Sequence, residues 1–510
     1  MAINVQSAYK ELLSKTKDLV VLSTAEGIIH WDMEIYMPPK AVEQRSQQLA
    51  LLSRIRHKMA NDPEIGKLLK TIQTNAENQA LGEEEKRNLY LINKSYQEQT
   101  ALPEKLVSDL AMQEALTVNV WKKAKAKKDF NLFKPELQKL LDLNKQAAEI
   151  LMKVKETKTP YEALLDNFEP KMPAQTITAT FNELLAGLKP LIAKIEDFNA
   201  KTNTQILNQT VLVEAQRKIT QLITQTLGYD TASSAAGGRV DETEHPFTTG
   251  YYDDVRITTH YYPNNFASSI FSVLHESGHA LYEQNLNPKW QYQPLGSTCS
   301  YGVHESQSRF YENIIGRSRE FWTGFLPKIK QVAPSLSNLQ LDPFIHAVNK
   351  VERSKIRIEA DEVTYSLHII IRFELERDLF ADKISVDELP EAWNQKYADY
   401  LGVKIENDSE GLMQDTHWAS GLYGYFPSYA LGNIYSGQIT SAISKDLPNW
   451  LGEMAKGKLE DVNTWLKTNV HSKSDLYDPE ELIKLATGTC LDSQPYLQYL
   501  NKKYGELYGF

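Results

Sequence analysis

Residues 274–284 read LHESGHALYEQ, with His275 and His279 four positions apart and Glu276 directly after the first. In a helix, positions i and i+4 share a face, so the two imidazoles can offer ring nitrogens to one metal ion. Glu276 is rotated about 100° from His275, which sets it beside such an ion and not on it. A carboxylate there can take a proton from metal-activated water, the role of Glu in an H-E-x-x-H motif. The bland alternative is a helix with two ordinary surface histidines. A catalytic zinc site usually has three protein ligands and one position left for water. The extension that supplies the third from the same helix needs a Gly and a His. Here those positions hold Tyr282 and Asn285, so the third ligand comes from elsewhere.

A second run, VHESQSRFYENIIGR (303–317), carries His304 and Glu305. Glu305 follows His279 by 26 residues, enough for a helix end, a loop and a returning antiparallel helix. Glu283 and Glu312 compete with it, and chemistry alone does not rank them. Glu283 lies one turn beyond His279, and three ligands in one line rarely surround a metal. Glu305 also has a plain reading as a surface carboxylate paired with Arg309 at i, i+4.

Further polar residues recur nearby. DVRITTHYY (254–262) alternates as a strand, with Val255, Ile257 and Thr259 on one face and Arg256, Thr258 and His260 on the other. Asp254 is placed to hold Arg256. VNKVERSKIRIEADEVTYSLHIIIRF (348–373) predicts one strongly apolar helix, on which Arg357, Asp361, Thr364 and His368 form a polar stripe. Asp361 is then an i, i+4 partner for Arg357. The stretch 411–438 is rich in glycine and aromatics; His417 is a donor there, and Tyr423, Tyr425 and Tyr429 offer phenols. Each tyrosine can equally be packing.

The elements that must position these groups are mostly helices. From the N-terminus to about residue 230, apolar residues recur at three- and four-residue spacing. Gly and Pro then cluster between 231 and 263, around the predicted strand, and helical patterns resume after 266. The expectation is a mostly α fold with a small β element near the active site. It forms one helical domain over 1–510, with the motif-bearing part at about 240–430. The 510 residues carry 56 basic and 66 acidic side chains, a net charge of −10, which argues against a nucleic-acid partner. No apolar run approaches the roughly 18 residues of a membrane span, and the N-terminus reads as an amphipathic helix and not a signal peptide. Two cysteines, Cys299 and Cys490, fit a reducing, cytoplasmic setting.

Taken in order, HPF (245–247), DVRIT (254–258), HESGH (275–279), HESQ (304–307), IRIEAD (356–361) and GLMQDTHW (411–418) resemble the motifs of the M32 metallocarboxypeptidases, the carboxypeptidase Taq family. WDMEIYMPPKAVEQRSQQLALL (31–52) is similar to that family's opening helices, so the resemblance spans nearly the whole chain. It implies a large helical, cleft-containing zincin fold of the neurolysin and angiotensin-converting-enzyme type, and a homodimer. It also implies zinc, with cobalt able to substitute, held by His275, His279 and Glu305, with Glu276 as the catalytic carboxylate. Substrates would be peptides with a free C-terminus. Recognising that carboxylate calls for a fixed cation, for which Arg357 and Arg256 are rivals, with Asp361 and Asp254 as their partners and His417 as a further donor. By the same resemblance Tyr425 is favoured as the oxyanion donor. Two other functions stay open: an oligopeptidase or dipeptidase on the same metal site, and a helical peptide-binding scaffold whose metal is structural.

Overall fold

A computed structural model describes residues 4–75, 80–199 and 202–510. Its first half is helix after helix, as the apolar spacing requires. These are α1 (Val5–Ile35), α2 (Val42–Ala60), α3 (Pro63–Thr74), α4 (Glu83–Ala101), α5 (Glu104–Lys127), α6 (Phe130–Lys155), α7 (Pro160–Leu165), α8 (Ala174–Asn199) and α9 (Val213–Leu227). Pro103 stands just ahead of α5, where its missing N–H costs nothing. α1, α3 and α4 close a small apolar cluster through Leu12, Leu68 and Ile92. A much larger cluster runs from Ala124 to Tyr504. Arg87 of α4 ties the two regions together through Asp475 at 2.6 Å and Asp478 at 2.9 Å.

The Gly- and Pro-rich stretch forms a three-stranded sheet of β1 (Gly238–Glu242), β2 (Thr248–Tyr251) and β3 (Asp254–Thr259). β3 is central, parallel to β1 and antiparallel to β2. In the β2–β3 register Thr248 faces Ile257 and Thr249 faces Arg256. Side chains alternate across a strand, so Thr248 and Arg256 lie on opposite sides of the sheet. The HPF and DVRIT runs meet here: the Thr258 N–H donates to Phe247 O, and the Phe247 N–H donates to Thr258 Oγ1.

The remaining helices are α10 (Phe266–Gln284), α11 (Tyr301–Arg309), α12 (Arg319–Val332), α13 (Leu341–Val348), α14 (Tyr365–Phe380), α15 (Leu389–Leu401), α16 (Pro427–Asp446), α17 (Trp450–Met454), α18 (Glu460–Asn469), α19 (Pro479–Thr487) and α20 (Gln494–Tyr508). α11 is clasped between α10 and α16, and two glycines permit the close approach. A Cβ on Gly278 of α10 would stand 2.5 Å from Gln307 O, and one on Gly432 of α16 would stand 2.6 Å from Cγ of Glu305. Larger residues would drive α11 away from both neighbours.

The single helix expected over 348–373 is not formed. α13 ends at Val348, where Asn349 donates its amide to Ile345 O and Arg317 O. The chain is then irregular, apart from one 3₁₀ turn at Arg357–Glu359, until α14 starts at Tyr365. Asp361 initiates that helix: its carboxylate accepts from the Val363 and Thr364 N–H groups and from Thr364 Oγ1. It also takes the Glu352 N–H. The predicted polar stripe therefore does not exist, and Asp361 is not the partner of Arg357. α14 is buried at every position from Tyr365 to Glu376, and a helix buried all round carries no amphipathic boundary to read.

Candidate metal centre and carboxylate clamp

α10 carries His275, Glu276 and His279 into the core beside α11, whose Ser300 caps its first turn by accepting the Val303 N–H. Nε2 of His279 and Nε2 of His275 lie 3.5 and 3.9 Å from the same oxygen, Oε2 of Glu305. One donor atom from each of the three lies within 4.8 Å of the others. Ligands about 2.1 Å from a tetrahedral ion stand about 3.4 Å apart, so two imidazoles and a carboxylate at this spacing fit a divalent cation of the zinc kind. Glu283, a competitor for third ligand, turns away and holds His304 Nε2 at 2.9 Å. Glu312 is drawn in differently: its Oε2 is 2.9 Å from His275 Nδ1, the ring nitrogen opposite the one that faces Glu305. It reaches that place because the chain after α11 loosens into a π-turn over Phe310–Ile315, a feature frequent at functional sites.

Glu305 is no surface carboxylate, though it does pair with Arg309, at 2.7 Å. Burial opposes its charge, but Arg309 and the histidines outweigh burial and hold its carboxyl far below the usual range. The two histidines differ. Burial disfavours charge on both, yet Glu305, Glu312 and Glu276 lift His275 to about 9. His279, whose Nδ1 is buried without a hydrogen-bond partner among the described residues, is pushed down to about 3 by burial and by His304. The His304 ring stacks on it at 4.4 Å. Glu276 stands off this three-residue cluster. Its Oε2 accepts from Thr248 Oγ1 at 2.6 Å, and burial raises its pKa.

Arg357, in the irregular segment before α14, pairs with a residue the sequence reading did not single out. Its Nε and Nη2 donate to Asp415 Oδ1 at 3.0 and 2.8 Å, and its Nη1 donates to Tyr365 OH at 2.8 Å. Arg372 of α14 grips the other oxygen of Asp415, with Nη2 at 2.6 Å. One carboxylate thus serves two guanidiniums. His417 beside them is held neutral, its pKa pushed down to about 4 by burial and the arginines, so the cluster keeps one surplus positive charge. Three of the five Arg357 N–H groups are committed, leaving one on each terminal nitrogen. The guanidinium lies 5.0 Å from the Tyr429 ring centre, and Tyr429 OH is 3.1 Å from His417 Nε2. Tyr365 joins the two halves of the site, since Arg309 stacks on its ring at 4.3 Å while Arg357 holds its hydroxyl.

Arg256 lies elsewhere. Asp254 clamps it through Nε and Nη2 at 2.7 and 2.8 Å, and it covers Trp31 of α1 at 4.3 Å. That is the side of the sheet away from Thr248 and Glu276. Among the tyrosines, Tyr423 is fully buried against Phe380 and belongs to the core. Tyr425 and Tyr429 pack on each other with ring centres 5.3 Å apart; burial raises the pKa of both, helped next by the Glu305 charge at Tyr425 and by the Tyr425 phenol at Tyr429. Both cysteines are free, Cys299 buried and Cys490 exposed. None of the described helices is long and apolar enough to cross a membrane.

The family model for carboxypeptidase Taq (M32) metallopeptidases matches residues 11–504. Thermostable carboxypeptidase 1 of Thermus thermophilus is 39% identical, over 99% of each chain. Carboxypeptidase 1 of Bacillus subtilis is 37% identical, over 99% of this chain and 100% of its own. Among solved structures, an M32 carboxypeptidase from Deinococcus radiodurans R1 superposes with a TM-score of 0.94 at 35% identity, covering 99% of this chain and 100% of its own.

Proposed function

Because this chain belongs to the carboxypeptidase Taq (M32) metallopeptidase family, and is on that account a metal-dependent carboxypeptidase, we propose which of its residues do the work. His275, His279 and Glu305 hold the metal, and their convergence within 4.8 Å is the observation that carries the reading. The metal is zinc, with cobalt as a functional substitute, in line with two nitrogens and one oxygen at tetrahedral spacing. Bound there, it supplies a Lewis acid that lowers the pKa of water and draws charge from a carbonyl oxygen.

The rest belongs to the chain. Glu276 accepts a proton from the attacking water and returns it to the leaving amine. Burial lifts its pKa toward what a proton carrier at neutral pH needs, and Thr248 fixes which oxygen is free to act. Arg357 binds the terminal carboxylate of the peptide with its two uncommitted N–H groups, held in place by Asp415. His417 and Tyr429 border that clamp, and the Tyr425 phenol donates to the oxyanion as charge develops. Arg256, held by Asp254, meets the peptide on the α1 side of the sheet. Asp361 acts on the clamp only through the backbone turn that it caps. We read residues 1–510 as one peptidase domain, acting as a homodimer in the cytoplasm on peptides with a free C-terminus.

The test is a set of peptides with free and amidated C-termini, assayed with metal-free, zinc-loaded and cobalt-loaded protein. Release of terminal residues from free acids by the loaded forms alone is the expected result. Equal cleavage of amidated peptides, or activity that persists after chelation, would sink it.

A further inference from the structure

The stretch 411–426 carries Asp415, His417 and Tyr425 with little regular structure of its own. α14 holds it at two points one helical turn apart. Arg372 takes Asp415. The second point is Glu376, which has no exposed surface. Its Oε1 accepts from Trp418 Nε1 at 2.8 Å, and its Oε2 accepts from the Gly424 N–H at 3.0 Å and from Tyr161 OH of α7 at 2.9 Å. The two loop donors stand next to the functional side chains, Trp418 after His417 and Gly424 before Tyr425.

Among the described residues no cation contacts this carboxylate; neutral donors alone satisfy it. Such a buried acid is costly, since burial pushes its pKa up to about 7, and an apolar residue would fill the space without that cost. What an apolar residue lacks is the ability to fix two loop N–H groups in direction.

We propose that Glu376 is a positioning residue for substrate binding: by fixing Trp418 and Gly424 it sets His417, Tyr425 and, through the loop between, the Asp415–Arg357 clamp. The inference rests on the clamp reading given above.

The experiment compares two variants that each remove one hydrogen bond from the same carboxylate. Trp418→Phe removes a donor on the loop, and Tyr161→Phe removes one on α7. Both are assayed on a free-acid peptide and its amide, with metal content and thermal midpoint recorded. Trp418→Phe is expected to raise KM for the free acid at least fivefold with kcat within twofold. Tyr161→Phe is expected to leave both within twofold, at a similar cost in midpoint. Glu376→Gln, which places an amide N–H against one of these donors, is expected to raise KM about tenfold. Equal KM changes in Trp418→Phe and Tyr161→Phe, or changes that merely follow the midpoint, would overturn the inference, even if Glu376→Gln yields no folded protein. Arg357→Ala separates the two levels. If it keeps the preference for free acid over amide, the clamp reading fails. If it loses the preference while the two aromatic variants behave alike, the positioning of the loop by Glu376 fails alone.

Discussion

Replacing Glu312 by Gln tests the proposed metal centre without touching any of its three proposed ligands. The carboxylate lies 2.9 Å from Nδ1 of His275 and contributes in two ways. It accepts a charge-assisted hydrogen bond, worth about 1.5–3 kcal/mol against 0.5–1.5 for a neutral one. A Gln oxygen can still accept from Nδ1, so the variant loses the difference, about 1–1.5 kcal/mol, or about tenfold in metal affinity. That agrees with the 10–100-fold usually seen for such outer partners. Ala, which also removes the acceptor, is expected near the upper end.

The second contribution has the opposite sign. With no metal bound, the surrounding carboxylates hold His275 at about 9. A metal arriving at pH 7 must therefore displace a proton, at a cost of about 2.7 kcal/mol for two pH units. Wild-type affinity should rise about tenfold per unit from pH 7 to 9 and flatten above. In Glu312→Gln one of the lifting charges is gone, so His275 releases its proton more easily and part of the loss is offset at pH 7. The deficit should be largest at pH 9. Competition titration against a zinc chelator at pH 7, 8 and 9 reads both effects. Equal affinities of wild type and variant at pH 9 would refute the role of Glu312. A wild-type affinity flat across the range would refute the linked proton.

Glu276→Gln should keep its metal and lose about 10²–10⁴ in kcat; a loss under threefold would remove Glu276 as the base. Asp415→Asn strands two buried guanidiniums, so its thermal midpoint should fall by the equivalent of about 3 kcal/mol or more, with metal content unchanged. Glu169 has no exposed surface, accepts from Tyr435 OH at 2.8 Å and from the Gly302 N–H at 3.1 Å, and is lifted by burial to about 7 from 4.5. A raised carboxyl favours the fold below its unfolded pKa, and that advantage, about 3 kcal/mol, is lost as pH rises from about 4.5 to 7. The midpoint of Glu169→Gln should therefore gain on that of wild type between pH 5 and 8, and a constant difference would contradict the shift. Glu305 and Glu312, both depressed, act with the other sign and only in more acid solution.

The sequence made the α10 part of the site legible because its information is local: His275, Glu276 and His279 sit within five residues on a helix whose apolar stripe is plain. Glu305 was open to competition until the order of motifs favoured it, since what brings it to the histidines is the packing of α11 at Gly278 and Gly432. Glu312 reads from the sequence only as a competing ligand. Its place behind His275 depends on a π-turn, which shifts the side-chain register in a way that 3.6-residue periodicity does not contain. The task of Asp415 is not legible locally, because its partners lie 58 and 43 residues upstream. The misread helix over 348–373 has a local cause. α14 is buried on every face, polar positions included, so periodicity does not mark its start, whereas Asp361, a helix-start residue four positions ahead of Tyr365, does.

These contacts bear on why a protein of this kind would remove residues from the end of a chain. Glu305 is fixed by Arg309, Arg309 stacks on Tyr365, and Tyr365 holds Arg357. Every member of that series is buried or nearly so and belongs to α11, to α14 or to the segment leading into α14. The separation between Glu305 of the proposed metal site and Arg357 of the proposed clamp is therefore set by core packing, which yields little.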